Sequence, residues 1–210
     1  MMTAERRIGL LKLAEHYDFV IVEDDYDHEF HFSHGPVFPL ASTDHAERVI
    51  YVGSLSKVLA PGLRIGYLVA SPAFISRCAS EIMLIDRQGN SVTELAVSEL
   101  INSGEIKRHI RRTFKIYSER RDILAKLVRS DLSKLVDFNL PLGGLAFWLK
   151  LKRHINIHDL VARAQVEKIN IPPESIFADA NEKIRAIRLG FGNLKDTELI
   201  EGVQRLKRIL

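Results

Sequence analysis

The sequence predicts an α/β fold, in which a mainly parallel sheet is followed by a small C-terminal α+β domain. Three short apolar segments, 18–23, 48–52 and 65–70, have the length and the residue types of strands. Neighbouring positions in these segments are apolar alike, which predicts strands that are buried on both faces, as in a parallel sheet. Ligands bind beyond the carboxyl ends of such strands, so the polar residues that follow them are the first candidates for a functional site.

Helical periodicity accompanies these strands. Apolar residues with helical spacing predict helices at 4–16, from Pro72 onward, at 91–103 and at 105–132. Thr3 is a suitable N-cap for the first helix, and Pro72 is favoured at the first position of the second. As one helix, 105–132 would span about 42 Å, which indicates an element that connects two domains.

Beyond residue 132 the pattern changes to short strands interspersed with helices, which predicts a separate α+β domain. The expected strands are 138–139, 144–152, 169–171 and 186–191, and the expected helices are 157–167 and 196–210. We place the domain boundary within the long helix, which gives domains at 1–117 and 118–210. Trp148 is interpreted as a core residue of its strand.

The composition is typical of a globular protein. Hydrophobic residues make up 46% and charged residues 27%, and the net charge of +3 is weak evidence for nucleic-acid binding. The basic residues of 105–132 alternate with acidic and apolar ones, which favours a solvated face with ion pairs such as Glu105–Arg108. No secretory signal is visible, and no segment approaches the roughly 18 apolar residues of a membrane helix. The single cysteine, Cys78, is typical of a reducing cytoplasm, where we expect this protein.

Acidic residues cluster where the first strand is expected to end. Glu23, Asp24, Asp25 and Asp27 surround Tyr26. Several carboxylates packed together cost energy unless a cation joins them, so the cluster exceeds what a turn requires. If the chain binds a cofactor whose ring nitrogen carries a proton, Asp24 is the preferred candidate for pairing with that nitrogen, and Asp25, Asp27 and Glu23 remain alternatives.

A second polar group follows the second strand. Ser54, Ser56 and Lys57 form a hydroxyl-rich turn, and Pro61-Gly62 then returns the chain to Arg64. Hydroxyls and loop N–H groups can surround a phosphate, while a guanidinium binds two of its oxygens. A neutral lysine amine can attack an aldehyde. An amine, two hydroxyls, a guanidinium, a carboxylate and a phenol are together the groups that hold pyridoxal 5′-phosphate.

These two segments resemble the aspartate and lysine motifs of fold-type I pyridoxal-phosphate enzymes, the class I/II aminotransferases. The most similar branch is the aminotransferase-like domain of MocR/GntR-type transcriptional regulators. Its pattern is a strand ending Glu-Asp-Asp-Tyr-Asp, here 23–27, a Ser-x-Ser-Lys loop, here 54–57, and Pro-Gly-hydrophobic-Arg, here 61–64. The resemblance implies a partial, N-terminally truncated large domain of the aspartate aminotransferase type, with an open sheet edge and exposed apolar surface, followed by the small domain.

The resemblance also implies a role for each matching residue. Asp24 would bind the ring nitrogen, Tyr26 the ring phenolate oxygen, and Lys57 would form the catalytic Schiff base. The implied phosphate ligands are Ser54, Ser56 and Arg64.

A third segment, 186–193, resembles the small-domain strand whose arginine holds the substrate α-carboxylate. Arg188 is the matching residue, and Arg185 is the alternative. A guanidinium suits this role because it can pair with both carboxylate oxygens. The regulator branch commonly has a histidine where this chain has Ala146, so the contact of that histidine has no counterpart here.

For the complete protein the resemblance implies amino-group transfer between an amino acid and a keto acid, through an aldimine at Lys57. The alternative is an effector domain of a MocR/GntR-type regulator, which senses pyridoxal phosphate or an amino acid without turnover. A homodimer is implied as well, with DNA contacted only through a winged-helix domain outside this chain. No metal site and no membrane contact are expected.

Overall fold

The computed structural model describes residues 2–32, 38–87, 89–152, 155–172, 176–177 and 184–210. The chain divides into two compact units, Met1–Arg112 and Thr113–Leu210, and the division falls within one long helix. The boundary predicted at residue 117 lies in the same helix and remains a prediction. Within the described ranges, no helix has both the length and the apolar character needed to cross a membrane.

The helices predicted in the first half of the chain are confirmed. They are α1 (Ala4–Tyr17), α2 (Pro72–Ile85), α3 (Ser91–Asn102) and α4 (Glu105–Asp131). Thr3 Oγ1 accepts a hydrogen bond from the Arg6 N–H at 3.4 Å, which caps α1 as expected. Ser71 caps α2 in the same way, and Pro72 is the first residue of that helix. The expected ion pair between Glu105 and Arg108 is present in α4.

The first unit contains a three-stranded sheet in which β2 is central. Its strands are β1 (Ile21–Asp25), β2 (Val49–Ser54) and β3 (Gly66–Val69). Strand β1 is parallel to β2, with Asp24 opposite Val52, whereas β3 is antiparallel to β2, with Ser54 opposite Gly66. The carboxyl ends of β1 and β2 and the amino end of β3 therefore lie at the same edge of the sheet.

The prediction that these strands are buried on both faces is wrong. Tyr51 is buried, but Val22 is 64% exposed and Val69 is 53% exposed. Side chains alternate between the two faces of a strand, so an apolar run does not by itself show that both faces are covered. Both β1 and β3 are edge strands of this sheet, each paired on one side only among the described residues. The open edges and the exposed apolar surface agree with the partial large domain expected from the sequence.

The second unit is an antiparallel sheet with helices. Its elements are β4 (Val136–Asp137), β5 (Ala146–Leu151), α5 (Ile157–Val166), β6 (Ala186–Gly190) and α6 (Asp196–Ile209), with the strands in the order β4-β5-β6. The strand predicted at 169–171 is wrong. Lys168 has a left-handed backbone, and the Ile169 N–H donates to the Ala164 carbonyl at 2.8 Å, so this segment closes the end of α5.

The core of the second unit forms between its sheet and its helices. Strand β5 alternates strictly, so Phe147 and Leu149 are buried whereas Trp148 is 37% exposed. The interpretation of Trp148 as a core residue is therefore wrong. The most deeply buried helical residues of this unit are Leu124, Val128, Leu160, Ala164 and Leu206, and Leu132, directly after α4, is also fully buried.

Leu149 and its exposed neighbour Lys150 provide a test of this core. We expect Leu149→Ala to lower the free energy of unfolding of the second unit by about 2–5 kcal/mol, because it leaves a cavity among buried side chains. Lys150→Ala should change that free energy by less than about 0.5 kcal/mol. Urea denaturation followed by circular dichroism measures both, and equal effects would contradict this packing.

Candidate functional site

The polar residues predicted from the sequence lie at the common edge of the first sheet. Residues paired across parallel strands project from the same face, and faces alternate along each strand. Asp24 lies opposite Val52, two residues before Ser54, so Asp24 and Ser54 project from one face. Asp25 lies opposite Gly53 and projects from the other face, together with Tyr51.

The loop after β2 presents Lys57 between two buried anchors. Leu55 and Val58 are 9% and 2% exposed, and both belong to a small apolar cluster with residues of α3 and α4. The Ser56 N–H donates to Ser54 Oγ at 3.2 Å, and the Leu59 N–H donates to the Leu55 carbonyl at 2.9 Å. These contacts fix the backbone of the loop, while the Lys57 side chain itself is exposed.

Arg64 lies beside this loop at the start of β3. The Leu55 N–H donates to the Ile65 carbonyl at 3.1 Å, which holds the chain next to the serine turn. Arg64 follows the short turn Pro61–Leu63 and has a left-handed backbone, with φ of 53°. Such a conformation is uncommon for a residue other than glycine and is often found at functional sites. Its side chain is exposed at the same sheet edge as Ser54.

The four acidic side chains near the end of β1 differ in their hydrogen-bond partners. Glu23 accepts hydrogen bonds from the backbone N–H groups of Leu40, at 2.8 Å, and Ala41, at 3.2 Å. Glu23 therefore holds the short turn at Leu40–Thr43 against the strand.

The remaining acids also differ. Asp25 Oδ2 lies 2.8 Å from His28 Nδ1, and Asp27 is close enough to His31 to affect its pKa. Within the described part of the chain, the Asp24 carboxylate makes no hydrogen bond or ion pair, and it is exposed. Asp24 is thus the acid of this group that is available to an added ligand.

A polar cluster on the opposite face of β1 was not predicted from the sequence. It consists of Asp25, His28 and His31, with Tyr51 donating from its hydroxyl to Asp25 at 3.4 Å. Burial lowers the pKa of His31, and the nearby His28 lowers it further. Burial, followed by a hydrogen bond with Tyr67, raises the pKa of Tyr51 far above its usual range. The sequence signal for this cluster is the regular spacing of three residues in 25, 28 and 31.

Arg188 and Arg185 of the second unit have different surroundings. Arg185 donates to the backbone carbonyls of Lys152, at 3.1 Å, and Ile155, at 2.8 Å. Arg188 lies on β6 opposite Trp148 and is exposed. It borders a cavity of about 460 Å³ and has no hydrogen bond or ion pair with any described residue. Arg188 is therefore the available guanidinium of the two.

Comparison with known proteins agrees with the order of these elements. The family model for aminotransferase class I and II matches residues 7–206. The chain belongs to this family. The match includes the β1 acids, the Lys57 loop and Arg188, although the match does not by itself assign a role to any of them.

Relatives include both enzymes and regulators. The chain is 33% identical over 206 residues to aromatic-amino-acid aminotransferase 1 of Thermococcus litoralis, covering 98% of this chain and 49% of that protein. It is 33% identical over 208 residues to the HTH-type transcriptional regulator YdeL of Bacillus subtilis, covering 99% and 45%. It is 28% identical to the probable rhizopine catabolism regulatory protein MocR of Rhizobium meliloti, covering 99% and 42%. The chain thus spans about half the length of these relatives.

Solved structures confirm the fold as a partial aminotransferase fold. The structure of Pyrococcus horikoshii kynurenine aminotransferase in complex with PMP matches with a TM-score of 0.91 and 30% identity, covering 100% of this chain and 52% of that one. LysN, the α-aminoadipate aminotransferase of Thermus thermophilus, in complex with N-(5′-phosphopyridoxyl)-L-leucine, matches with a TM-score of 0.89 and 28% identity, covering 99% and 54%.

The different partners of Glu23 and Asp24 lead to a prediction. We expect Glu23→Ala to lower the free energy of unfolding by about 1–3 kcal/mol, because the N–H groups of Leu40 and Ala41 lose a charged acceptor. Asp24→Ala should change it by less than about 0.5 kcal/mol, since its carboxylate has no partner among the described residues. Chemical denaturation of both variants measures the difference, and a larger loss for Asp24→Ala would contradict the assignment.

Proposed function

We propose that this chain contributes the lysine-bearing part of a pyridoxal-phosphate-dependent aminotransferase-like protein, which transfers an amino group between an amino acid and a keto acid. The observation that carries the proposal is the set of available charged groups at one sheet edge. Asp24, Lys57 and Arg64 have no partners among the described residues, whereas Glu23 and Asp25 beside them are engaged. Family membership supplies the reaction class that such a set fits.

The chemistry of these side chains suits pyridoxal phosphate. Asp24 can hold the ring nitrogen in its protonated form, because a close carboxylate favours the charged state. Tyr26 can donate its hydroxyl to the ring phenolate oxygen. The hydroxyls of Ser54 and Ser56 and the forked guanidinium of Arg64 can bind phosphate oxygens. When bound, the cofactor supplies an electron sink for the substrate.

Lys57 has two roles in this proposal. Its amine attaches the cofactor covalently, and it carries the proton that moves to and from the substrate carbon. Attachment and removal of the proton require the neutral amine, which burial favours because it disfavours the ammonium form, whereas return of the proton requires the ammonium. In the described chain the Lys57 side chain is exposed. We expect Lys57, together with apolar residues such as Val22 and Leu68, to be covered by the half of the family fold that this chain does not match.

Arg188 binds the carboxylate of the amino-acid substrate in this proposal. Its guanidinium is available, whereas that of Arg185 is held by two backbone carbonyls. A forked pair with both carboxylate oxygens would orient an amino acid and discriminate against simple amines.

A second candidate function is ligand sensing in a transcriptional regulator. Relatives such as YdeL and MocR are named as regulators. Tyr26 lies two residues after Asp24, a spacing that resembles that of the regulator-linked branch. In that case the same residues bind the cofactor or an amino acid without turnover, and DNA is contacted by a separate winged-helix domain. The homodimer and the cytoplasmic location belong to either candidate and remain predictions. Release of a keto acid with catalytic stoichiometry would favour the enzyme.

Cofactor attachment at Lys57 can be tested by absorbance. We expect titration with pyridoxal phosphate to produce the absorption band of a lysine-bound cofactor, and Lys57→Ala to reduce its amplitude at least about tenfold. Lys150→Ala is the matched control, because Lys150 is an exposed lysine of the second unit. An equal band in Lys57→Ala and in the control would show attachment at other lysines and would overturn this role.

Carboxylate binding by Arg188 can be separated from cofactor binding. We expect Arg188→Ala to lower the affinity for the amino acid by about 10- to 100-fold, because a hydrogen bond to a charged group contributes about 1.5–3 kcal/mol. The affinity is measured from the amino-acid-dependent change of the cofactor spectrum. Cofactor affinity should stay within about twofold. Arg188→Lys should recover only part of the response, because lysine keeps the charge but lacks the fork. Parallel loss of cofactor and amino-acid binding would contradict the assignment.

A further inference from the structure

Asp25, His28 and His31 form a compact cluster of possible metal ligands beyond the end of β1. Each offers one ligand atom, and these atoms all lie within 4.8 Å of one another. The carboxylate and the two imidazoles belong to positions 25, 28 and 31, at intervals of three, so the turn that follows β1 brings them together. The set is built from residues that the proposed aminotransferase function does not use.

Buried contacts fix the backbone that carries the cluster. Asp25 is paired with Gly53 in the parallel sheet. Phe30 lies between the two histidines, is fully buried, and donates its N–H to the Asp27 carbonyl at 3.0 Å. The three side chains therefore extend from a strand end and a turn that are held in place, rather than from a solvated loop.

One nitrogen of His31, a residue of this cluster, lacks the partner that its burial calls for. Nδ1 of His31 is buried, and among the described residues no group forms a hydrogen bond with it. A buried polar atom without a partner costs about 1–3 kcal/mol. An ion bound at this nitrogen would provide the missing partner, which makes this observation independent of the proximity of the three residues.

The remaining ligands are already oriented towards each other. Asp25 Oδ2 lies 2.8 Å from His28 Nδ1, and the Tyr51 hydroxyl donates to the same oxygen at 3.4 Å. Hydrogen bonds from surrounding groups to a ligand carboxylate are typical of metal sites, because they hold the ligand in position. Tyr51 is 6% exposed, so its hydroxyl acts from within the core.

We propose that Asp25, His28 and His31 bind a divalent transition-metal ion of the zinc class. Two imidazole nitrogens and one carboxylate oxygen are ligands that Zn²⁺ accepts, and three protein ligands leave a position for water or another group. Magnesium and calcium prefer all-oxygen sites, so this set disfavours them. Nickel, copper and cobalt have similar ligand preferences and are competitors for the same site.

The ion would lie on the face of the sheet opposite to the proposed cofactor site. Asp25 projects from the face that carries Tyr51, while Asp24 projects from the other face with Ser54. The ion would connect the end of β1 to His31 across the turn that contains Tyr26. Its proposed role is therefore to hold this turn, and the backbone of Asp24 with it, in one conformation.

Isothermal titration calorimetry with zinc chloride tests the proposal. The full 210-residue chain is first freed of metal with a chelator and is titrated without pyridoxal phosphate, so the result does not depend on the proposed cofactor chemistry. We expect one zinc ion per chain and no heat from magnesium chloride beyond dilution. Zinc should also raise the melting temperature, because it binds the folded state.

Variants identify the ligands. His28→Ala removes a proposed ligand and should weaken zinc binding by at least about 100-fold. Tyr51→Phe removes a hydrogen bond to a ligand; such outer-shell partners contribute about 10- to 100-fold in affinity, so this variant should weaken zinc binding by about tenfold. His16→Ala is the matched control, because His16 is an exposed histidine of α1, and it should leave the affinity unchanged. Circular dichroism establishes that each variant is folded.

Three results on the wild-type chain and the alanine variants would overturn the proposal. They are an absence of zinc binding to the folded wild-type chain, equal affinities of wild type and His28→Ala, and an equal loss in His16→Ala. The last two results would mean that scattered surface histidines bind the ion. Because His31 is partly buried, His31→Gln replaces it with a polar residue of similar size, and retained affinity in that folded variant would equally contradict the site.

Discussion

The parallel pairing of β1 with β2 is the constraint on which the rest of the first unit depends. Asp24 lies opposite Val52 and Asp25 opposite Gly53, so consecutive carboxylates project from opposite faces of the sheet. A shift of one residue in this register would exchange those faces. Gly53 helps to fix the arrangement, because a Cβ atom there would lie 2.2 Å from the ring of Tyr67, its partner residue on β3.

This register separates two kinds of chemistry at one strand end. One face carries Asp24, at the end of the sheet where the serine turn, Lys57 and Arg64 also lie, and among the described residues the side chains of Asp24, Lys57 and Arg64 have no partner. On the other face, Asp25 is bound to Tyr51 and lies next to two histidines. Exposed apolar residues surround the first face, including Val22 at 64%. The relatives are about twice as long as this chain.

Local sequence signals were sufficient for the helices and for the position of the candidate site. Thr3 and Pro72 mark helix starts that the structure confirms, and the motifs at 23–27 and 54–57 lie at strand ends as expected. Burial was harder to predict, because an apolar run such as 18–23 does not show which face is covered. Trp148 is exposed for the same reason.

Which of the acidic residues are engaged by other residues could not be predicted from local sequence either. Glu23 is engaged by the amides of Leu40 and Ala41, and Asp25 by Tyr51, which is 26 residues away. These partners are brought close only by the tertiary fold. The regular spacing of Asp25, His28 and His31 was visible in the sequence, but its meaning depends on the turn that brings the three side chains together.

Peptide mapping after borohydride reduction tests the central claim most directly, namely that this sheet edge forms the cofactor site around Lys57. The chain is incubated with pyridoxal phosphate, reduced, digested and analysed by mass spectrometry. We expect the reduced cofactor predominantly on the peptide that contains Lys57. A label distributed among exposed lysines such as Lys12 and Lys150, without preference for Lys57, would contradict it.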